Sequence, residues 1–511
     1  TRRFSMFLRR IRNFLFSDLG ILILLALSRI ILHAFTNGVH GFHRDELGLL
    51  DDARYLAWGY VTYPPLTPFL GRIAMEIFGQ TSIAGIRFIS SLAQGAVLVL
   101  TGLMARDLGG KRWAVVLTGL AVWIAPLSLD QGALFQYVSF DYLWWVLIAF
   151  CMLRLLKTEN PRWWLGIGAA VGIGIMTKYT MGFFAVGLVG AVLLTPLRRY
   201  LKTRWLWAGA GLAVLIFLPN LLWQIQHDFI SLQHLSTIHA RDVEIGRADN
   251  FVLDQFVLAA NPLAFPWWLA GVYFYLFSRA GRAFRPLGWM YVIPLALFIL
   301  AKGRGYYLAP AYPMLLAAGI VQGERWLAGL RTWLASLVKG LTYVSFAAGA
   351  VIALALTIPA APIPSAWFDF ASSANTDLKE EIGWPELAQA VADIRGALPA
   401  EDRARVGILA NSYGEAGALN MYGPVLGLPT AISAVNTHWL RGYGSPPPEV
   451  VIVVGYPTNW PYAYFGSCQL AGQIPNPYHL DNEEAKVPNI YVCRGLRGSW
   501  ENFWKTIQHF G

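Results

Sequence analysis

The sequence predicts an α-helical polytopic membrane protein that carries an external α/β domain at its C-terminal end. Three observations predict it. The chain is 56% hydrophobic and 14% charged, whereas ordinary soluble domains carry about 25% charged residues. Its apolar residues arrive in blocks of roughly 16 to 22, the length needed to cross a hydrocarbon core of about 30 Å. After residue 360 the character changes, and helix-like and strand-like runs alternate with Gly, Pro and Asn between them.

The first apolar block, 19–35, follows a basic start, TRRFSMFLRRIRNF. No small-residue cleavage site follows it, so it reads as a retained helix with a cytoplasmic N-terminus. Further blocks lie near 83–105, 113–128, 139–156, 163–177, 180–196, 205–223, 262–278, 287–301, 306–322 and 340–360. That makes about eleven transmembrane helices by length. The connections test the order. Arg106/Lys111/Arg112, Arg154/Lys157/Arg162, Arg198/Arg199/Lys202/Arg204, Arg279/Arg282/Arg285 and Arg325/Arg331/Lys339 all fall on one side, as the positive-inside rule demands. The odd-numbered connections then face out, and an odd helix count delivers the tail there too. The expected division is a membrane region, 1–360, with a first external loop at 37–82, and an external domain, 361–511. That tail opens on a helix-like stretch, DLKEEIGWPELAQAVADIRGALP, followed by the strand-like runs VGILA and PEVVIVVG.

The net charge of +10 does not indicate nucleic acid, because the basic residues are short clusters between apolar blocks and no basic helix is interleaved with aromatics. The chain has three cysteines. Cys151 lies in an apolar block. Cys468 and Cys493 are either a disulfide, if their domain faces an oxidising compartment, or two free thiols. No His/Cys spacing marks a metal site, and no cofactor or metal is expected.

The densest charge lies in the first external loop, GFHRDELGLLDDARYLAWGYVTYPPL, with Asp45, Glu46, Asp51, Asp52 and Arg54 inside ten residues. Leu47, Leu50, Ala53 and Leu56/Ala57 recur at helical spacing, and Pro64–Pro65 end that helix and let another begin. Asp141 in FQYVSFDYLWW, Lys178 in GIMTKYTMGFF, and Lys302 and Arg304 in AKGRGYYLAPAYP fall where spans meet the same side. Each alone is an ordinary interfacial anchor. Together they describe a mouth with carboxylates on one loop and cations on others. A carboxylate takes a proton from an attacking hydroxyl, and cations bind a phosphate and stabilise it as it leaves.

These stretches resemble the motifs of one family. RDEL followed by ARYLAWGYVTYPPL resembles the DE…HPPL pattern of the protein O-mannosyltransferase-like glycosyltransferases, which include the aminoarabinose transferases of lipid A. FQYVSFDYLWW, the Gly-rich GIGAAVGIGIMTKYT, LPNLLWQIQHDFISL and GRGYYLAPAYPMLLAAG resemble further family segments in the same order, over roughly residues 1–325. The resemblance implies a GT-C fold and an inverting transfer of a sugar from a polyprenyl-phosphate donor to a hydroxyl acceptor (protein, lipid or glycan), at the outer face of an inner (plasma) membrane. It implies Asp45 as catalytic base with Glu46 beside it as a second acceptor or positioning group. Tyr63, Asp141, Lys178, His227, Lys302, Arg304 and Tyr307 are the substrate-binding residues it suggests. Aminoarabinose transferases have a Lys directly before Pro-Pro-Leu; here that place is Tyr63, which carries no charge near neutral pH.

The expected partners are the polyprenyl-phosphate sugar, membrane lipid and the acceptor. Two other classes fit less well. A transporter or flippase for a lipid-linked sugar places its ionisable residues near the midplane, and these gather at one face. A catalytically silent subunit of a larger membrane complex would use the aromatic-rich surface as contact area, but has no need of the DE pair.

Overall fold

A computed structural model describes residue 10 and residues 12–511. Most of the basic start expected to flank the first helix on the cytoplasmic side lies outside the described residues. Among the described residues, six helices are long and apolar enough to cross a membrane, or up to nine if each of three bent pairs is one span. The chain is a multi-pass membrane protein. It divides into two compact units.

The first unit comprises Thr1–Thr36, Arg87–Leu222 and Asp242–Ile358 and is helical. Small residues set its helix spacing. A side chain at Gly168 would collide with the backbone of Gly209, and one at Gly319 with the backbone of Trp267. Close backbone approach of this kind supplies packing that the hydrophobic effect does not supply inside lipid.

The sequence block 113–128 is not one straight helix. Arg112–Trp123 and Pro126–Ala133 meet at 59°, because Pro126 has no N–H to continue the ladder. Backbone carbonyls freed in an apolar interior must be satisfied, and here a buried arginine does it. Arg29 donates to the Val122 carbonyl at 3.3 Å and the Ser128 hydroxyl at 3.0 Å, and also to the Ser128 carbonyl. Ser128 in turn donates to Gln94 Oε1 at 2.8 Å, and Gln94 to the Ser139 carbonyl at 2.8 Å.

The second unit comprises Asn37–Ile86, Trp223–Arg241 and Pro359–Gly511, so the segment expected to be the first external loop, 37–82, belongs to the same body as the tail. Its sheet has the strand order β2-β1-β3-β5-β4, where β1 is Val406–Ala410, β2 Ala431–Ser433, β3 Val450–Val454, β4 Phe465–Gln473 and β5 Asn489–Leu496. β1 pairs in parallel with β2 and β3, while β5 runs antiparallel to β3 and β4. β3 is VVIVV with every residue buried, as a central strand covered on both faces requires. Cys468 and Cys493 face each other across β4 and β5 and form a disulfide.

The loop helix is shorter than its leucine spacing suggests. It runs Arg44–Asp52, and residues 53–65 are irregular before Leu66–Phe78 restarts after Pro64–Pro65. Leu47, Leu49 and Leu50 are buried, against the helix Tyr413–Tyr422. The close fit needs glycine on both sides. A Cβ at Gly48 would stand 2.8 Å from the Tyr413 ring, one at Gly414 2.9 Å from Arg44 Cβ, and one at Gly417 2.5 Å from the Leu47 carbonyl oxygen.

Candidate functional site

The suggested site residues fall into two groups, one in each unit. In the second unit, the sequence His43-Arg44-Asp45-Glu46 builds a helix start. His43 is the N-cap: its Nδ1 accepts from the Asp45 N–H at 3.1 Å, and Glu46 reaches back to accept from the His43 N–H at 2.8 Å. This reciprocal capping box satisfies two donors that a helix start leaves open. Glu46 is fully buried in that role. Asp45, one position earlier, points to the exposed side, with its side chain 39% accessible. Its Oδ1 accepts from the Tyr413 hydroxyl at 2.7 Å, and Arg44 Nε lies 3.7 Å from the same oxygen. Burial pushes the Tyr413 hydroxyl well above the usual tyrosine range and the Asp45 charge adds to it, so Tyr413 remains a donor.

Asp51 and Asp52 close the helix and are buried with their partners. Asp51 Oδ2 receives His438 Nε2 at 2.9 Å, Arg441 Nη1 at 2.5 Å and Asn420 Nδ2 at 3.3 Å. Burial works against its charge, but the His438 and Arg441 contacts outweigh it and bring the carboxyl down to about 2. Asp52 pairs with Arg441 Nη2 and accepts from the Tyr63 hydroxyl at 2.7 Å. It shares that arginine with Asp51, and there burial prevails, raising its pKa. Tyr63 thus directs its hydroxyl to Asp52. Arg54 donates to the Asn420 carbonyl at 2.6 Å and to Gln80 at 3.1 Å. His227 stacks on Trp223 with ring centroids 4.0 Å apart, and its Nδ1 lies 2.8 Å from the Trp223 carbonyl. Its segment is tied to the loop through Ser231, which donates to the Tyr60 carbonyl at 2.9 Å.

In the first unit, Lys178 sits at the break between two helices, Trp163–Ile175 and Met181–Leu194. Its ammonium lies 4.4 Å from the Tyr307 ring centre, 5.0 Å from Tyr306 and 5.5 Å from Tyr137. Cation–π attraction holds it there, and among the described residues no carboxylate lies within ion-pairing distance of it. Asp141 is buried at the start of Tyr137–Thr158, accepts from Trp145 Nε1 at 3.1 Å and interacts electrostatically with Lys178. Arg304 is held by Asp242 at 2.6 Å. Lys302 is exposed at a turn with φ 46° and stands outside this cluster.

The structure thus brings Asp141, Lys178 and Tyr307 together, with Arg304 beside Tyr307. Along the loop helix it adds residues that sequence reasoning did not single out: Tyr413 at Asp45, and Asn420, His438 and Arg441 at Asp51 and Asp52. One signal was present. NSYGE, directly after the strand-like VGILA, contains a Ser-x-x-Glu capping box, with Ser412 and Glu415 in the reciprocal arrangement. It marks a helix start but not the helix's partner. Among the described residues no three of His, Cys, Asp or Glu are grouped as metal ligands.

Comparisons with known proteins agree with the motifs. A family model described as dolichyl-phosphate-mannose-protein mannosyltransferase matches residues 62–223. The lipid A galacturonosyltransferase RgtD of Rhizobium johnstonii is 27% identical over 335 residues, 61% of this chain and 67% of that protein. The undecaprenyl phosphate-alpha-4-amino-4-deoxy-L-arabinose arabinosyl transferase 2 of Pseudomonas fluorescens is 27% identical over 313 residues, 52% of this chain. The chain spans about half of that relative's length (47%). The crystal structure of ArnT from Cupriavidus metallidurans bound to undecaprenyl phosphate superposes with a TM-score of 0.57 at 14% identity, over 93% of this chain and 98% of that one. This chain shares its fold.

Proposed function

We propose that this chain, a GT-C-type membrane glycosyltransferase by fold and by family model, moves a sugar with inversion from a polyprenyl-phosphate donor to a hydroxyl acceptor at the outer face of an inner (plasma) membrane. In this reading Asp45 takes the proton from the acceptor hydroxyl as its oxygen bonds to the anomeric carbon. The bond from that carbon to the phosphate oxygen breaks, and polyprenyl phosphate leaves with the electron pair.

One observation carries the assignment of the base. Asp45, Glu46, Asp51 and Asp52 lie on the same short helix. Asp45 has an accessible side chain (39%), while those of the other three are at most 5% accessible. Glu46 is committed to the cap, so its role is to position the helix start. Tyr63 supports Asp52. On the donor side Lys178 is the favoured phosphate cation, because the charge of Arg304 is balanced by Asp242. Asp141 sets the local charge around Lys178, and Tyr307 holds its ammonium. His227 and Lys302 are assigned to the substrate approach.

The reading keeps about eleven crossings by length, a cytoplasmic N-terminus and an external tail. The Cys468–Cys493 disulfide supports an oxidising compartment for the tail, and the basic connections support the opposite side as cytoplasmic.

The test is sugar transfer from a panel of radiolabelled polyprenyl-phosphate sugars by the purified protein in lipid, beside an Asp45→Asn twin. Turnover that collapses in the twin while donor binding persists supports the assignment. Equal turnover in both removes Asp45 from the role.

A further inference from the structure

Four of the basic connections meet at one end of the first unit. Arg154 and Lys157 pair with Asp107 at 3.0 and 2.8 Å, and Arg199 pairs with Glu159 at 2.9 Å. Glu324 accepts from the Lys111 N–H at 2.8 Å, and Arg325 donates to the Leu108 carbonyl at 2.8 Å. These contacts join the segments 106–112, 154–162, 198–204 and 324–325. They also engage every carboxylate those segments hold: Asp107, Glu159 and Glu324.

Arg162 and Arg204 stay uncompensated. Both are exposed, and both guanidiniums lie against the indole of Trp205, 5.7 and 5.1 Å from its ring centre. Cation–π attraction holds the side chains in place but leaves their charge. Neither forms an ion pair among the described residues. Arg162 is the N-cap of Trp163–Ile175, and Arg204 opens Arg204–Gln226. The two helices run in the same direction, since Gly168 packs on Gly209 and Gly172 on Ala213, so their starts stand side by side. A cation at a helix start opposes the helix dipole. Two such cations on one ring call for an anion between them.

The surface around them indicates what carries that anion. Only 11% of the apolar stretch of Arg204–Gln226 is buried within the protein, the lowest share among the six long apolar helices described. Trp207, Val214, Leu215 and Leu218 are exposed along it, as on a helix that faces lipid chains. Trp205 and Trp207, at its start, are of the type that sits at headgroup depth. A zwitterionic headgroup would bring an ammonium beside two guanidiniums, where Glu159 is already taken by Arg199. An anionic headgroup brings only its phosphate, which a guanidinium grips through two N–H groups.

We propose that Arg162 and Arg204, held on Trp205, bind the phosphate of an anionic diacyl phospholipid whose chains lie along the outward face of Arg204–Gln226. Lys178 follows the other end of Trp163–Ile175, roughly 20 Å away by helix length, so this phosphate is not the one assigned to the sugar donor. The site does not rest on the proposed reaction.

The test titrates the full chain, purified in a neutral detergent, with phosphatidylglycerol or phosphatidylcholine of the same chains, and counts bound lipid by native mass spectrometry. Inorganic phosphate and undecaprenyl phosphate serve as competitors. Arg162→Gln/Arg204→Gln removes both charges from the indole, and Arg279→Gln/Arg282→Gln removes the same charge from another basic connection. One phosphatidylglycerol should bind at least tenfold more tightly than phosphatidylcholine. The loss should be at least tenfold in Arg162→Gln/Arg204→Gln and under twofold in the control. Where the double variant unfolds, Arg162→Gln and Arg204→Gln are read singly, each with a loss of about fivefold. Equal affinity for the two phospholipids, equal losses in the site and control variants, or unchanged affinity in both single variants overturns the proposal. So does displacement by inorganic phosphate at equal concentration, which marks a free-anion site. Preferential occupancy by undecaprenyl phosphate also overturns it, and assigns the arginines to the donor lipid instead.

Discussion

Tyr413 donates a 2.7 Å hydrogen bond to Oδ1 of Asp45 across 368 positions of sequence. The bond aims one carboxylate oxygen into the protein and fixes the rotation of the other. Tyr413→Phe keeps the ring, and therefore the packing against Gly48, but loses the donor. We expect kcat to fall about tenfold with donor KM within about twofold, the pattern of a lost transition-state interaction. The double variant with Asp45→Asn separates this from a structural effect: its loss equals that of Asp45→Asn alone, since a positioning hydroxyl has nothing left to position. Additive losses contradict the role.

Glu46 and Asp45 are neighbours with different duties. Glu46→Gln retains an acceptor for the His43 N–H and should keep most of the turnover. Glu46→Ala loses the cap and should lower stability by about 1–2 kcal/mol. Thermal unfolding and transfer assays on both variants check this. If Glu46→Gln is as inactive as Asp45→Asn, the capping assignment is insufficient and Glu46 takes part in proton transfer.

Lys178 should matter through its charge. A charge-assisted hydrogen bond is worth about 1.5–3 kcal/mol, so Lys178→Gln should raise donor KM about tenfold or more. Lys178→Arg, which keeps the charge and still stacks on tyrosines, should recover part of the loss. Donor titration of all three forms decides it, and an unchanged KM in Lys178→Gln removes Lys178 from the phosphate.

Stability should depend on pH at both ends. Asp51 has a folded-state pKa of about 2, below its ordinary value of about 3.9. Its contribution is present above the ordinary value and is lost as pH falls through about 2. Glu484 behaves in the opposite sense. Burial, with Glu380 and Glu415 nearby, raises it to about 8. The stability linked to its proton is full below about 4.3 and is lost as pH rises through about 8. Glu484→Gln stays uncharged, so its melting temperature should fall less between neutral and mildly alkaline pH than that of the parent. Identical pH profiles would contradict the assignment.

The sequence by itself determined the parts whose causes are local. Apolar blocks of membrane length, basic connections and Pro64–Pro65 are legible because lipid thickness, loop charge and proline's missing N–H act over a few residues. The DE pair was legible as chemistry for the same reason: four carboxylates in eight residues of an apolar chain are conspicuous. What was not legible is how those four differ. Glu46 is buried in a cap, Asp51 and Asp52 are buried and share Arg441, and Asp45 stays accessible. The block 113–128 also read as one span and is broken, with Arg29 satisfying the break.

Only the tertiary structure decided these points, because each depends on a partner far along the chain. Tyr413 looks like an ordinary residue of the tail until the glycines at 48, 414 and 417 let two helices approach closely enough for it to meet Asp45, and Arg441 until the fold brings it to Asp51 and Asp52. A carboxylate's burial and hydrogen bonds set its chemistry, and both are properties of what packs against it.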